Sequence, residues 1–173
     1  MSEMKIESTI RDYLLEEGLL RKKIKDPKLE FGFQFAFPPG QGGHIMAVFK
    51  PKNKNLIIVS SGTQISDQHI NALNLLKNDK KLHYFMDLRK FFLLKDVFFR
   101  IDVNHYRYEI SDQKFLKEDR IISKNSLFKS IRKVFNCAAY SNIILAQYCS
   151  GQIKEEDLYK SKDFSETDFS LYS

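Results

Sequence analysis

Apolar and polar positions along this chain follow two periods, and the switches between them mark its elements. Ile6, Ile10, Tyr13 and Leu14 recur at helical spacing with charged residues around the remaining circumference, which predicts an opening helix. Gly18 is placed to end it, because glycine enters the left-handed region without Cβ strain. Arg21, Lys22, Lys23 and Lys25 then lead to a turn at Asp26-Pro27. Leu29, Phe31, Phe33, Phe35 and Phe37 alternate with Glu30, Gly32, Gln34 and Ala36, so residues 29–37 are expected to form a strand with one apolar face. Residues 38–43 contain Pro38, Pro39, Gly40, Gly42 and Gly43 and read as a loop. Strands are expected at 44–50, with Ile45, Ala47 and Phe49 on one side, and at 56–59, where both faces are apolar. Residues 29–61 thus read as a three-stranded antiparallel meander.

Ser66 looks like an N-cap, with Ile65 and Ile70 placed as the two members of a hydrophobic staple. The helix it starts turns Ile70, Leu73 and Leu76 inward, breaks or bends over 77–81, and resumes with Leu82, Phe85, Leu88 and Phe92 inward. A hairpin is expected next: Val97, Phe99, Ile101 and Val103 run out, and Tyr106, Tyr108 and Ile110 return. Its turn falls near Asn104-His105, asparagine being tolerant of positive φ. Residues 112–122 are ambiguous. Ser123 is a second N-cap, opening a long helix whose wide face carries Leu127, Ile131, Val134, Phe135, Ala138, Leu145 and Tyr148 and which stops at Gly151.

The pattern therefore predicts the α+β class: an antiparallel five-stranded sheet with helices on one face, in the order α-βββ-α-ββ-α. At 173 residues one domain is expected, covering 1–151, with 152–173 as an acidic flexible tail poor in aliphatic residues. The seven glycines and four prolines are too few for a turn-rich all-β sandwich. Cys137 and Cys149 fall on one helix, about 120° apart around the axis and about 18 Å along it, too far to bridge. They read as small buried residues of a reducing compartment. With no signal-peptide pattern and no apolar run long enough to span a membrane, a cytoplasmic protein without membrane contact is expected. The net charge of +6 is uneven: residues 152–173 hold three basic and six acidic side chains, or −3, which leaves +9 on 1–151.

Four segments carry a resemblance: DYLLEEGL at 12–19, FAFPP at 35–39, ISDQHINAL at 65–73 and SLFKSIRKVFNCAAYSNIILAQYCSG at 126–151. Their wording resembles an uncharacterised, mainly archaeal family of unknown function, and the element order resembles the small dimeric chaperones of type III secretion, whose fold that family is thought to share. Over residues 5–151 the resemblance implies a sheet with helices on one face, dimerisation and peptide-binding grooves.

Several common chemistries find no support in the residues. The glycine-rich loop at 38–43 leads into a strand and lacks the Lys-Ser/Thr pair of a phosphate-binding loop, so it reads as a hairpin connection or a flap over a groove. His44, His69, His83 and His105 have neither the spacing nor the cysteine partners of a metal site, and no cofactor is expected. Glu16-Glu17 and Glu155-Glu156-Asp157 have the setting of solvated carboxylates; Asp102 and Glu109 read as cross-strand partners of Arg100 and Arg107.

What remains is a non-enzymatic protein or peptide interaction module, chaperone-like and homodimeric. Phe91, Leu94 and Phe98 are the candidate contact residues, because they lie off the stripes that the core explains. The alternative is nucleic-acid binding through three basic clusters at 21–28, 50–54 and 129–133, with Arg21, Lys22, Lys23, Lys50, Lys52, Lys54, Lys129, Arg132 and Lys133 as candidates.

Overall fold

The computed structural model describes residues 2–150 and the backbone of a short strand at 162–163; the acidic tail expected over 152–173 otherwise lies outside the described residues. Helix α1 (Ser2–Glu16) buries Ile6, Ile10 and Leu14 along one stripe. It ends in a paired backbone closure, the Gly18 amide donating to Leu15 O (3.0 Å) and the Leu19 amide to Leu14 O (2.9 Å). That closure needs the left-handed φ of +68° that Gly18 supplies.

An antiparallel sheet follows, and it is larger than the five strands expected. Its order is β1-β2-β3-β4-β6-β5, with β1 (Leu20–Lys23), β2 (Leu29–Phe37), β3 (His44–Pro51), β4 (Leu56–Gln64), β5 (Phe98–Asp102) and β6 (Arg107–Phe115). A two-residue seventh strand, β7 (Lys162–Asp163), pairs with β4 at Thr63 and Gln64. The additional edge strand β1 runs through Arg21, Lys22 and Lys23, expected to be a lead-in to a turn. It is four residues long and largely exposed, so it shows no alternation; charges on an edge also deter pairing with other chains.

Between β4 and β5 the chain forms two helices, α2 (Asp67–Leu75) and α3 (Asn78–Leu94), and after β6 the long α4 (Lys124–Cys149). Both expected N-caps are in place: Ser66 Oγ accepts from the His69 amide and Ser123 Oγ from the Ser126 amide. The break between α2 and α3 is confined to Leu76 and Lys77, shorter than expected, and this changes the phase of α3. Its inward residues are Tyr84, Phe85, Leu88 and Phe92, and Leu82, expected inward, is 63% exposed because it sits about 100° round from their mean direction. The β5–β6 turn places positive φ at Tyr106 rather than Asn104, since the Asp102 carboxylate closes the turn by accepting from the His105 amide (3.1 Å). The ambiguous stretch 112–122 resolves into the end of β6 and a loop.

The main core lies between the sheet and the helices. Phe31, Phe33, Phe35, Met46, Val48, Ile57, Val59, Tyr108 and Ile110 face the inner stripes of all four described helices. The opposite sheet face holds a smaller cluster of Ile24, Ala47, Phe49, Leu56 and Ile58. Leu29 belongs to this second cluster and not to the phenylalanine row, because a register shift between Leu29 and Phe31 turns it to the other face. Gly32 lets Ile24 lie flat on this face: a Cβ there would be 3.2 Å from Ile24 Cβ and equally near Leu29 and Phe49. Among the described residues no helix is long and apolar enough to cross a membrane.

Candidate functional site: a groove between α3 and α4

The C-terminal half of α3 runs beside the middle of α4, and their facing flanks enclose a hollow of about 430 Å³ lined by Phe91, Leu94, Lys95, Lys133, Asn136, Cys137 and Tyr140. The helices bury Leu88 and Phe92 on one side and Val134 and Ala138 on the other, so these lining residues are flank positions left beside the packed stripes. Phe91 and Tyr140 stack across the gap, ring centroids 4.4 Å apart and planes 19° apart. Tyr140 is 49% and Leu94 80% exposed. The Lys95 ammonium lies 5.9 Å from the Phe91 ring centre, within reach of its negative face.

Lys133, one of the lining residues, belongs to a polar tie between α4 and the sheet. Asp112 on β6, buried under α4, accepts from Ser130 Oγ at 2.6 Å and lies 3.4 Å from Lys133 Nζ. Burial raises the Cys137 thiol pKa, with Lys95 and Lys133 acting in the opposite sense. The thiol is therefore a neutral, soft wall of the groove at neutral pH.

Of the three candidate contact residues, the structure brings Phe91 and Leu94 together here and sets Phe98 apart. Phe99 and Ile101 pack on the helix-side core, so Phe98, opposite Ser111 and 56% exposed, projects from the other face of the edge strand. Tyr140, Asn136 and Cys137 were not expected as site residues. The signal for Tyr140 was its place off the wide α4 stripe, four residues after Asn136 and thus on one flank with it.

Of the three basic clusters, 21–28 and 50–54 meet at one end of the sheet and 129–133 lies apart on α4. Arg21, Lys22 and Lys23 lie on edge strand β1, with Lys23 Nζ 2.6 Å from Glu7. Lys129 and Arg132 are exposed on α4, while Lys133 is engaged by Asp112. Lys50, Lys52 and Lys54 lie at the β3–β4 turn, where the Lys52 amide donates to Lys28 O (3.0 Å) and so joins this turn to the one at 25–28. Lys50 is buried and ion-paired with Glu30. Phe115, 77% exposed beside Lys114 and Lys117, is an outward aromatic in the stretch whose pattern was ambiguous.

The histidines are dispersed in role: His69 is buried against Ser66 Oγ (2.6 Å), His44 packs on Phe135, and His105 bonds Asp102 (2.8 Å). Among the described residues no group of three or more His, Cys, Asp or Glu side chains could hold a metal ion.

No curated protein matches the chain. Among solved structures, the crystal structure of an uncharacterized protein from Methanothermobacter thermautotrophicus is similar, with 23% identity and a TM-score of 0.74 over 82% of this chain and 97% of that one. At that identity the likeness extends to the fold. The profile of one family, described as an uncharacterized conserved protein (DUF2299), matches residues 6–145, and the chain belongs to that family.

Proposed function

We propose that the protein is a non-enzymatic interaction module whose α3–α4 groove takes a short apolar and acidic segment of another protein. The observation that carries this reading is the pairing of exposed apolar walls with cations. Phe91, Tyr140 and Leu94 offer rings and an aliphatic side chain to solvent, and Lys95 and Lys133 stand at the same hollow. Exposed aromatic surface in a concave site is where partner side chains anchor, and flanking ammonium groups select carboxylates beside that anchor. A chaperone-like role, holding an extended segment of a partner, is the form of this reading that the resemblance to secretion chaperones suggests. The homodimer belongs to the same proposal. Its natural contact is the other flank of α3, where Leu82, Met86 and Leu93 stand exposed at helical spacing.

The test is fluorescence anisotropy with dye-labelled peptides in which leucine or phenylalanine alternates with glutamate, beside counterparts carrying lysine in place of glutamate. The acidic set should bind, and Tyr140→Ala and Leu94→Glu should each weaken it while leaving the circular-dichroism spectrum unchanged. Equal binding of both sets, or binding indifferent to the two substitutions, would remove the groove from consideration.

A further inference from the structure

A second hollow, at the β3–β4 turn, shares no lining residue with the α3–α4 groove. It encloses about 510 Å³ and is lined by Glu30, Lys50, Lys52, Asn53, Lys54, Asn55 and Arg120. Four of these are cations and one is a carboxylate, and that carboxylate is already committed to Lys50. The lining thus carries three more formal positive charges than negative ones.

Three features make this a built site and not a scatter of surface lysines. Lys50 is held with its side chain only 5% exposed, its ammonium fixed on Glu30 Oε2. The other oxygen of that carboxylate, Oε1, is buried and has no hydrogen-bond partner among the described residues. A buried acceptor in that state is costly, and it holds the carboxylate tightly on the Lys50 ammonium. Third, the two loops forming the rim are locked together. Asn55 Nδ2 donates to Leu116 O (3.1 Å) and the Leu116 amide donates back to Asn55 O (3.0 Å), fixing the loop that carries Arg120 against the β3–β4 turn. Left-handed φ values at Asn53 (62°) and Arg120 (51°) set the shape of each rim. A rim whose backbone is fixed in this way needs little reordering when an anion arrives.

We propose that this pocket binds a compact phosphate group, either free or as the monoester end of a larger molecule. Arginine and lysine suit phosphate oxygens. The hollow is compact, and Arg21, Lys22 and Lys23 lie on β1 and Lys129 and Arg132 on α4, while Lys28 adjoins the rim through its carbonyl. The arrangement therefore suits a terminal phosphate better than an extended phosphodiester backbone.

Isothermal titration calorimetry of the full chain with inorganic phosphate, pyrophosphate and a short 5′-phosphorylated single-stranded oligonucleotide tests this. Pyrophosphate should bind, more weakly as sodium chloride is raised, and Lys52→Gln and Arg120→Gln should each weaken it about tenfold, as loss of a charge-assisted contact does. Both substitutions are at loop positions, and an unchanged melting curve establishes that the variants are folded. An oligonucleotide that binds only when phosphorylated and is displaced by pyrophosphate supports the pocket and identifies a nucleic-acid end as a source of the group. No heat with phosphate or pyrophosphate, or heat unchanged in both variants, overturns it. So does an oligonucleotide that binds without its terminal phosphate and resists displacement, which points to an extended backbone surface instead.

Discussion

Phe91 on α3 and Tyr140 on α4 lie nearly face to face, with ring centroids 4.4 Å apart, and they join the two helices at the surface. Such a stack contributes about 0.5–1.5 kcal/mol beyond area burial. Because half of the Tyr140 surface faces solvent, its removal should cost the fold little. Tyr140→Ala is expected to lower the free energy of urea unfolding by about 1 kcal/mol, yet to weaken binding of acidic, apolar peptides. A loss of several kcal/mol would mark Tyr140 as a core residue and not a binding one.

Lys50 and Glu30 define a second test. Their ion pair is largely desolvated, so removing one partner strands the other. Lys50→Met should destabilise by about 3–5 kcal/mol, and Glu30→Gln combined with Lys50→Met should recover a large part of that loss. Urea denaturation of the two variants decides the matter. Equal destabilisation by the single and the double variant would mean that Lys50 acts through packing of its stem and not through its charge.

The strand at 29–37 was legible because its period of two extends over nine residues. What the alternation could not reveal was the register shift beside Glu30, a backbone event that moves Leu29 to the other face without altering the composition. Strand β1 was illegible for the opposite reason: a charged edge strand needs no apolar face, so nothing in Arg21, Lys22 and Lys23 distinguishes it from a loop. Leu82 was misplaced because the phase of α3 is set by where the helix restarts, and a two-residue break looks the same in sequence as a five-residue one. At the site, Phe91 and Leu94 stood out as apolar residues that the core stripe did not need. Tyr140 did not, since a tyrosine on an amphipathic helix suits either face, and only the packing of α3 against α4 gives it a partner.

The exposed row of Leu82, Met86 and Leu93 leads to a test of self-association. Sedimentation equilibrium should give the mass of a dimer, and Leu82→Lys with Leu93→Lys should give that of a monomer. These side chains are already in solvent within one chain, so the double variant should melt with the wild-type monomer's cooperativity. A wild-type protein that is monomeric at every concentration would eliminate this flank as an interface.

Alkaline pH should weaken the fold in a defined window. Burial pushes Tyr108 up to about 12. Burial, and then its hydrogen bond to Asp87, pushes Tyr148 up to about 12 as well. Burial, with Tyr108 and Cys149 nearby, raises Tyr84 in the same direction. In the unfolded chain these phenols ionise near 10, so above that pH the unfolded state binds fewer protons than the folded one. Their contribution is complete below pH 10 and is lost as pH rises toward 12. Urea midpoints should therefore fall steeply across that interval, and Tyr148→Phe should make the fall shallower. A midpoint independent of pH up to 12 would contradict the protonated state of the buried Tyr84 and Tyr108 rings and of the Tyr148 hydroxyl on Asp87.

The two thiols report on the groove independently of any peptide. Burial raises Cys149 to about 11 and raises Cys137 also, so neither is appreciably a thiolate near neutrality, and both are enclosed. Cys137 lines the hollow beside Phe91 and Tyr140, whereas Cys149 is wholly buried, its thiol 3.8 Å from His69 O. An aromatic disulfide reagent should thus modify the native protein slowly. Cys137 should react first, through small movements of the groove walls, and Cys149 only after the end of α4 opens. Both should react at once in concentrated urea. If the groove accepts apolar and acidic peptides, adding one should slow Cys137 selectively, as followed by mass spectrometry of the labelled fragments. Cys137 labelling at the same rate with and without bound peptide would place the peptide elsewhere on the molecule, while rapid labelling of Cys149 in the native state would contradict its burial.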